Sequence, residues 1–268
     1  MKKISEHIEQ INKSGRKALS IFLTAGFPTK ENFVELATTV LENGADMLEI
    51  GIPFSDPLAD GQIIQSSSQA ALENGVTLKD VFHYCEKISA KTDKSRFLRD
   101  KPLILMGYAN PILKYGIKNF CTDAESSGVS GLIVPDVPLE EYESFYADDF
   151  KNLEKILLTT PTSSDKRIKA IDQLSEGFVY CVSVTGTTGI KNKFDGNVLK
   201  NLERTHTLVN KNKMLIGFGI SNAENVKTFA PYCDGVIVGS AVIKKISEAK
   251  SLFEVGKFVK SLSAACAK

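Results

Sequence analysis

The sequence has no surplus of charge: 33 lysines and arginines face 32 aspartates and glutamates, a formal balance of +1. No segment gathers enough lysine and arginine to follow a nucleic-acid backbone, so nucleic acid is not an expected partner. The runs "KTDKSRFLRDK" and "NKNK" read instead as solvated surface and turns. Cysteine is scarce and badly placed for chemistry: Cys85, Cys121, Cys181, Cys233 and Cys266 are odd in number and form no CxxC pair or His-containing ligand pattern. This speaks against a disulfide framework and a zinc site, and leaves the thiols as small apolar fillers in a reducing compartment. His7, His83 and His206 fall in helix-like or irregular stretches away from strand ends. With no P-loop, Ser/His/Asp set or Cys/His pair either, metal and nucleophile mechanisms carry little weight, and no metal is expected. The opening residues "MKKISEHIEQINKSGRK" lack a continuous apolar stretch and a cleavage signal, so neither an export signal nor a membrane span is expected there. Ile4, Ile8 and Ile11 share a helical face instead, which predicts an extra N-terminal helix, and a cytoplasmic location is the expectation.

What the sequence does hold is a regular alternation. Apolar runs of strand length, "ALSIFLTAG", "MLEIG", "LILMGY", "GLIVPD", "KILLTT", "FVYCVSV", "MLIGFG" and "GVIVGS", are separated by amphipathic segments. In "KENFVELATTVLENGA", Phe33, Leu36, Val40 and Leu41 share a face and Gly44 suits a helix stop. Eight βα units in 268 residues predict an α/β chain folded as a single (β/α)8 TIM barrel domain over residues 1–268. A doubly wound open sheet is the alternative, but no GxGxxG follows the first strand candidate. A core of this size needs no disulfide, metal or cofactor to hold it. No linker or low-complexity tract interrupts the series, and the longer insertions follow the second and sixth strand candidates.

The stretch "LEIGIPFSDPLADG" places Glu49 inside an apolar strand and follows it with Asp56 and Asp60 in a proline-stiffened loop. A carboxylate on either face of a barrel strand loses its hydration, so it must be paired, hydrogen-bonded or shifted upward in pKa. Near the carboxyl end of a barrel strand, such a group suits general acid or base catalysis. The plainer reading is that Glu49 bonds a neighbouring polar side chain and fixes strand register. Asp60 equally suits a helix N-cap ahead of "IIQSSSQAALENG", and Asp56 before Pro57 suits a turn. Their place directly after the strand of Glu49 is what favours function.

Near the other end, "IGFGISNAENV" and "VIVGSAVIKK" each put glycine at a strand end and open a helix directly after it, Gly217 and Gly219 in one, Gly239 with Ser240 in the other. Two such ends in neighbouring units form a phosphate cup, while either alone is also a plain βα turn. Between the two sites, "VTGTTGIKNKFDG", with Gly186 and Gly189, reads as a loop that closes over substrate or as inert surface.

Taken in order, "LEIGIPFSDPLADG", "LMGYANPILKYG", "LIVPDVPLEE", "VYCVSVTGTTG", "IGFGIS" and "VIVGSAVIK" closely resemble the tryptophan synthase alpha chain family, from the first strand candidate to the last helix without a sizeable gap. The resemblance implies a lyase of tryptophan biosynthesis that splits indole-3-glycerol phosphate into indole and glyceraldehyde 3-phosphate. It assigns Glu49 as general acid/base, Asp60 as the carboxylate supporting the indole nitrogen, and Tyr180 as the phenol beside Glu49. Phe22, Ile64, Met106, Ile133 and Phe218 match positions that sandwich the indole, though each also suits an ordinary core. Gly189, Gly219, Gly239 and Ser240 match phosphate contacts, and Thr188 matches a lid residue that bonds the Asp60 position. The family also implies a pyridoxal-phosphate beta chain as partner, in an alpha-beta-beta-alpha heterotetramer, with Pro53, Asp56, Pro57, Asn110 and Asp136 among the interface candidates. The cofactor belongs to that partner, and none is expected in this chain. Val184 departs from the arginine many relatives carry in the mobile loop. Two other readings stand beside this one: an indole-3-glycerol phosphate synthase, which would show a lysine acid at a strand end, and a binding subunit that switches a partner with little turnover of its own.

Overall fold

The structure is a computed structural model that describes residues 3–93, 98, 100–146, 148–183 and 196–267. Its frame is a closed parallel barrel of eight strands in sequence order. These are β1 (Ala18–Thr24), β2 (Met47–Gly51), β3 (Leu103–Met106), β4 (Val129–Ile133), β5 (Glu154–Thr159), β6 (Phe178–Val182), β7 (Lys213–Gly217) and β8 (Gly235–Val238). Each overlaps one of the eight apolar runs, with β4, β5 and β7 starting one or two residues ahead of theirs, and β8 pairs back onto β1 to close the ring. The helices are α1 (Ile4–Lys13), α2 (Phe33–Glu42), α3 (Gln62–Glu73), α4 (Leu78–Asp93), α5 (Ala109–Tyr115) and α6 (Ile117–Ser126). They continue with α7 (Tyr142–Phe145), α8 (Asp165–Leu174), α9 (Gly196–Leu208), α10 (Ala223–Phe229), α11 (Ser240–Glu248) and α12 (Leu252–Ala265).

Both faces of each strand are covered, the inner by the barrel's own side chains and the outer by helices, which is why the strands read as continuous apolar runs. In β1 all seven residues are buried. Helix α2 ends where the sequence suggests, with Gly44 just beyond it at φ +108°, a backbone state that favours glycine. The predicted N-terminal helix is α1, whose buried Ile4 and Ile8 close the N-terminal mouth of the barrel. Gly131 of β4 leaves the space that Ile4 fills: a Cβ there would stand 2.7 Å from Ile4 Cδ1. The Ile4 N–H also donates to Glu154 Oε2 at 2.6 Å.

All five cysteines are buried and free, and burial raises the pKa of each thiol. The histidines sit on helices, His7 on α1, His83 on α4 and His206 on α9. Among the described residues no group of three or more His, Cys, Asp or Glu gathers as a metal site, and no helix is long and apolar enough to cross a membrane.

Register carries one set of side chains into the interior. Phe22 pairs with Glu49, Glu49 with Ile104, and Met106 with Ile133. Across the ring, Tyr180 pairs with Leu215 and Ser20 with Ile237. Neighbours in register on parallel strands point to the same side, so these residues share the interior. Two glycines make room there: a Cβ on Gly51 would lie 2.4 Å from Phe22 Cζ, and one on Gly217 would lie 2.2 Å from the Tyr180 hydroxyl oxygen. The phenol of Tyr180 is stiff and already packed, so a methyl group at Gly217 displaces it. The substitution Gly217→Ala is expected to cost roughly 1–3 kcal/mol in denaturant unfolding and to move the Tyr180 ring signals in NMR spectra.

Candidate active site

Glu49 occupies the middle of β2 with no exposed surface, and its carboxyl group is only half satisfied. Oε1 accepts a hydrogen bond from the Ser20 hydroxyl on β1 at 2.7 Å, while Oε2 is buried without a partner. Loss of hydration pushes the acid up to a pKa of about 8, with the Ser20 hydrogen bond pulling the other way. The loss of hydration expected of Glu49 on either face is therefore realised on the inner one, and so is the hydrogen bond of the plainer reading. That one bond leaves the second oxygen open. Tyr180, on β6, is also buried, and its phenol is held well above its usual pKa by burial and then by the charges of Glu49 and Asp60. Its ring meets Phe218 edge-on with centroids 6.1 Å apart.

Asp60 lies in the loop between β2 and α3, and it does not cap that helix. The N-cap is Gly61, without a side-chain hydrogen bond, and the Asp60 carboxylate instead accepts from the Tyr108 hydroxyl at 2.8 Å. Burial raises the pKa of Asp60 and the Tyr108 bond opposes that rise. The same phenol oxygen accepts from the Ala59 N–H at 3.0 Å, and Phe54 stacks on the Tyr108 ring with centroids 5.2 Å apart. Ser68 of α3 holds the near end of the loop, accepting from the Phe54 N–H at 2.8 Å and donating to the Phe54 carbonyl at 2.9 Å. Asp56 takes the turn role: its carbonyl accepts from the Leu58 N–H and its carboxylate from the Ser55 hydroxyl.

A cleft of about 800 Å³, counted with its open mouth, sits at the C-terminal end of the barrel. Phe22, Ile64, Met106, Tyr180 and Phe218 form its apolar walls, and Asp60, Gly219, Gly239 and Ser240 also border it. Glu49 is not on that wall; it lies covered in the interior beside Phe22. Ile133 is likewise fully buried and off the wall, in register with Met106. Thr188 and Gly189, with the loop positions Val184 and Gly186, lie outside the described residues.

Of the two glycine-bearing strand ends, that of β8 opens directly into a helix and that of β7 into a turn. Gly239 is the N-cap of α11, without a side-chain bond, so the first turn from Ser240 borders the cleft. Helix α10 starts only at Ala223, and Asn222 accepts from the Asn225 N–H, closing that end. The Asn225 side chain also takes the Ser221 N–H at 3.0 Å and its hydroxyl at 2.8 Å. The β7 side thus offers the turn at Phe218 and Gly219, with φ of +69° and +77°. A left-handed phenylalanine is strained, and the Ser183 hydroxyl braces it by donating to the Phe218 carbonyl at 2.6 Å.

Sequence reasoning passed over four members of this site: Ser20, Tyr108, Ser183 and Lys244. Lys244 borders the cleft one turn along α11 from Ser240. Ser20 had a readable signal, a hydroxyl in the run "ALSIFLT"; Tyr108 had none apart from its contact with Asp60.

The loops beside the cleft form an outer face. Asp56, Asn110 and Asp136 are exposed, Pro53 is half-buried and Pro57 buried. The Asp136 carboxylate accepts from the Ala109 N–H at 3.0 Å, tying the loop after β4 to the start of α5. Leu58 and Leu113, in the same segments, are 90% and 54% exposed.

The buried acid sets the sign of a pH effect on stability. An ordinary glutamate loses its proton near 4.5, whereas Glu49 keeps it to about 8. Between those values the unfolded chain has released a proton that the folded chain still holds, so stability falls as pH rises through the window. The Glu49→Gln protein, which has no charge to bury, is expected to melt roughly 5 °C or more above the parent at the alkaline end, with the gain shrinking toward the acid end.

Comparison with known proteins follows this geometry. The family model described as "Tryptophan synthase alpha chain" matches residues 8–266. The tryptophan synthase alpha chain of Petrotoga mobilis is 44% identical, covering 98% of this chain and 99% of its own length. That of Flavobacterium psychrophilum is 41% identical, covering 95% and 98%. Among solved structures, tryptophan synthase from Mycobacterium tuberculosis superposes with a TM-score of 0.88 at 29% identity, covering 99% and 98%. The alpha chain from Legionella pneumophila subsp. pneumophila superposes with a TM-score of 0.87 at 32% identity, covering 99% and 97%. The chain belongs to the tryptophan synthase alpha chain family.

Proposed function

We propose that Glu49 carries the proton in the reaction of this enzyme, with Asp60 as its electrostatic partner at the indole ring. As a tryptophan synthase alpha chain, the protein is a carbon–carbon lyase that cleaves indole-3-glycerol phosphate to indole and glyceraldehyde 3-phosphate, and it works with a beta chain. The observation that supports the assignment is the buried carboxyl of Glu49 in the middle of β2, with one oxygen unpartnered, behind the cleft at the C-terminal end of the barrel.

The retro-aldol cleavage needs a proton added to the ring carbon that bears the side chain and a proton removed from the adjacent hydroxyl. With a pKa of about 8, Glu49 is mostly neutral at pH 7 and starts as the acid. After it protonates the ring carbon, its carboxylate takes the hydroxyl proton; the carbon–carbon bond breaks, its electron pair returns to the ring, and the aldehyde forms. The acid is restored with no net proton consumed. Because the carboxyl lies behind the cleft wall, the side chain turns toward the substrate to act. Protonation makes the ring nitrogen cationic, and the carboxylate of Asp60 lowers the energy of that state. Tyr180, within reach of the charges of both Glu49 and Asp60, stays a neutral phenol and orients Glu49. Phe22, Ile64, Met106 and Phe218 sandwich the indole, with Ile133 backing Met106. Gly219, Gly239 and Ser240 bind the phosphate together with Gly189, and Thr188 is the lid residue that bonds Asp60; Thr188 and Gly189 lie outside the described residues. Pro53, Asp56, Pro57, Asn110 and Asp136 face the beta chain. The chain acts as one barrel domain over residues 1–268 in the cytoplasm and carries no cofactor. Among the described residues the lysines carried by strands, Lys155 and Lys213, lie at the N-terminal ends of those strands, opposite to where a synthase-type lysine acid would stand.

Indole release from indole-3-glycerol phosphate, measured with beta chain present, tests these roles. Turnover is expected to fall as pH passes about 8, where the starting acid ionises. Glu49→Gln, which cannot cycle a proton, is expected to lose roughly 10²–10⁴-fold in kcat; unchanged turnover removes Glu49 from the mechanism. Asp60→Asn is expected to lower kcat by about 10²-fold while leaving the affinity for glyceraldehyde 3-phosphate near that of the parent. Equal losses in both would assign Asp60 to holding the loop.

A further inference from the structure

Ser20 lies outside the residues assigned above, yet its side chain is the one hydrogen-bond donor that Glu49 has among the described residues. Both residues have no exposed surface, and they sit on adjacent strands that pair in register, Ser20 with Met47 and Phe22 with Glu49. On its other side Ser20 pairs with Ile237. A hydroxyl buried between apolar neighbours costs free energy unless it finds a partner, and the partner here is Glu49 Oε1 at 2.7 Å. In a neutral carboxyl group the carbonyl oxygen is the stronger acceptor, so donation from Ser20 to Oε1 favours the acid's own proton on Oε2, the oxygen with no partner.

We infer that Ser20 is a positioning residue of the active site, fixing which carboxyl oxygen of Glu49 holds the transferable proton and how readily that proton leaves. The inference rests on the reading of Glu49 as proton carrier. A hydroxyl donates more strongly to a carboxylate than to a neutral acid, so Ser20 eases ionisation while burial resists it. Other ionisable groups near Glu49 are Tyr180 on β6 and Asp60 in the loop after β2. The inward residues of β1, β3 and β8 beside it, Phe22, Ile104, Met106 and Ile237, do not ionise, nor does Leu215 of β7. Glu154 and Lys213 begin their strands at the opposite mouth of the barrel. Ser20 is therefore the adjustable contact on this acid, because it touches the carboxyl without reaching the cleft wall.

The test uses full-length protein with ¹³C-labelled glutamate carboxyl groups, the Glu49 resonance being identified by its loss in Glu49→Gln. Its titration is followed in parent, Ser20→Ala and Ser20→Thr proteins, with indole release in the presence of beta chain measured over the same pH range. Ser20→Ala is expected to raise the Glu49 midpoint by about one pH unit, and Ser20→Thr, which keeps the hydroxyl, to leave it near the parent value. The alkaline limb of turnover is expected to move up with the midpoint. An unmoved midpoint in Ser20→Ala, or an equal rise in Ser20→Thr, overturns the inference. A midpoint that moves without the turnover limb upholds the contact and overturns Glu49 as proton carrier. Should Ser20→Ala fail to fold, Ser20→Cys, a weak donor of similar size, replaces it with the same expected direction.

Discussion

The rest of the site depends on a single unfavourable arrangement, a carboxyl group held where water does not reach and given one hydrogen bond for its two oxygens. Such an acid is neutral over much of the ordinary pH range because the charged form has nowhere to be solvated. Neutrality makes it a proton donor, and the missing second bond keeps it from being trapped as a salt or a network member. The arrangement detracts from stability, and the closed sheet around it absorbs that cost: β2 pairs on both sides, with β1 and with β3, so Glu49 cannot leave the interior without breaking the ring.

Closure of the barrel also decides who the neighbours of that acid are. Because β8 returns to β1, the strand carrying Ser20 and Phe22 lies between the strand of Glu49 and the turn at Gly239. Glu49 and Gly239 are thus two strands apart around the ring, although 190 residues of sequence separate the two positions. Their spacing is set by backbone hydrogen bonds, not by flexible side chains. Small residues at Gly51 and Gly217 then admit the rings of Phe22 and Tyr180, so the apolar walls and the floor of the cleft follow from the same register.

The parts that were legible in the sequence are those governed by local pattern or by an isolated polar residue in an apolar run. All eight strands appear as apolar runs, α1 as three isoleucines at helical spacing, and Glu49 as a charge where none belongs. What escaped depends on which strands and loops meet in space. Of the two helix starts expected at the glycines, only that of α11 stands there, because Asn222 and Asn225 spend their side chains on capping α10 farther along the chain, a choice no glycine pattern reveals. The cap reading of Asp60 gave way for a similar reason: a phenol 48 residues away in sequence competes for its carboxylate and wins. The hydroxyl of Ser20 shows in its apolar run but its partner does not: only the pairing of β1 with β2, Ser20 with Met47 and Phe22 with Glu49, brings it within reach of the acid.

Tyr108 joins two segments that serve different ends. Its hydroxyl binds Asp60 and Ala59, and its ring stacks on Phe54, so it fixes the loop that also carries the exposed Leu58. It directly precedes α5, which carries the exposed Leu113 and whose start is held by Asp136. The carboxylate at the cleft and the apolar groups on the outer face are therefore opposite ends of the same two loops. With Asp60 largely withdrawn from solvent, a displacement of either loop changes the distance between its charge and the phenol that offsets its burial. Tyr108 thereby links the outer face to the cleft, through its 2.8 Å hydrogen bond to Asp60, its bond from Ala59 and its stack on Phe54.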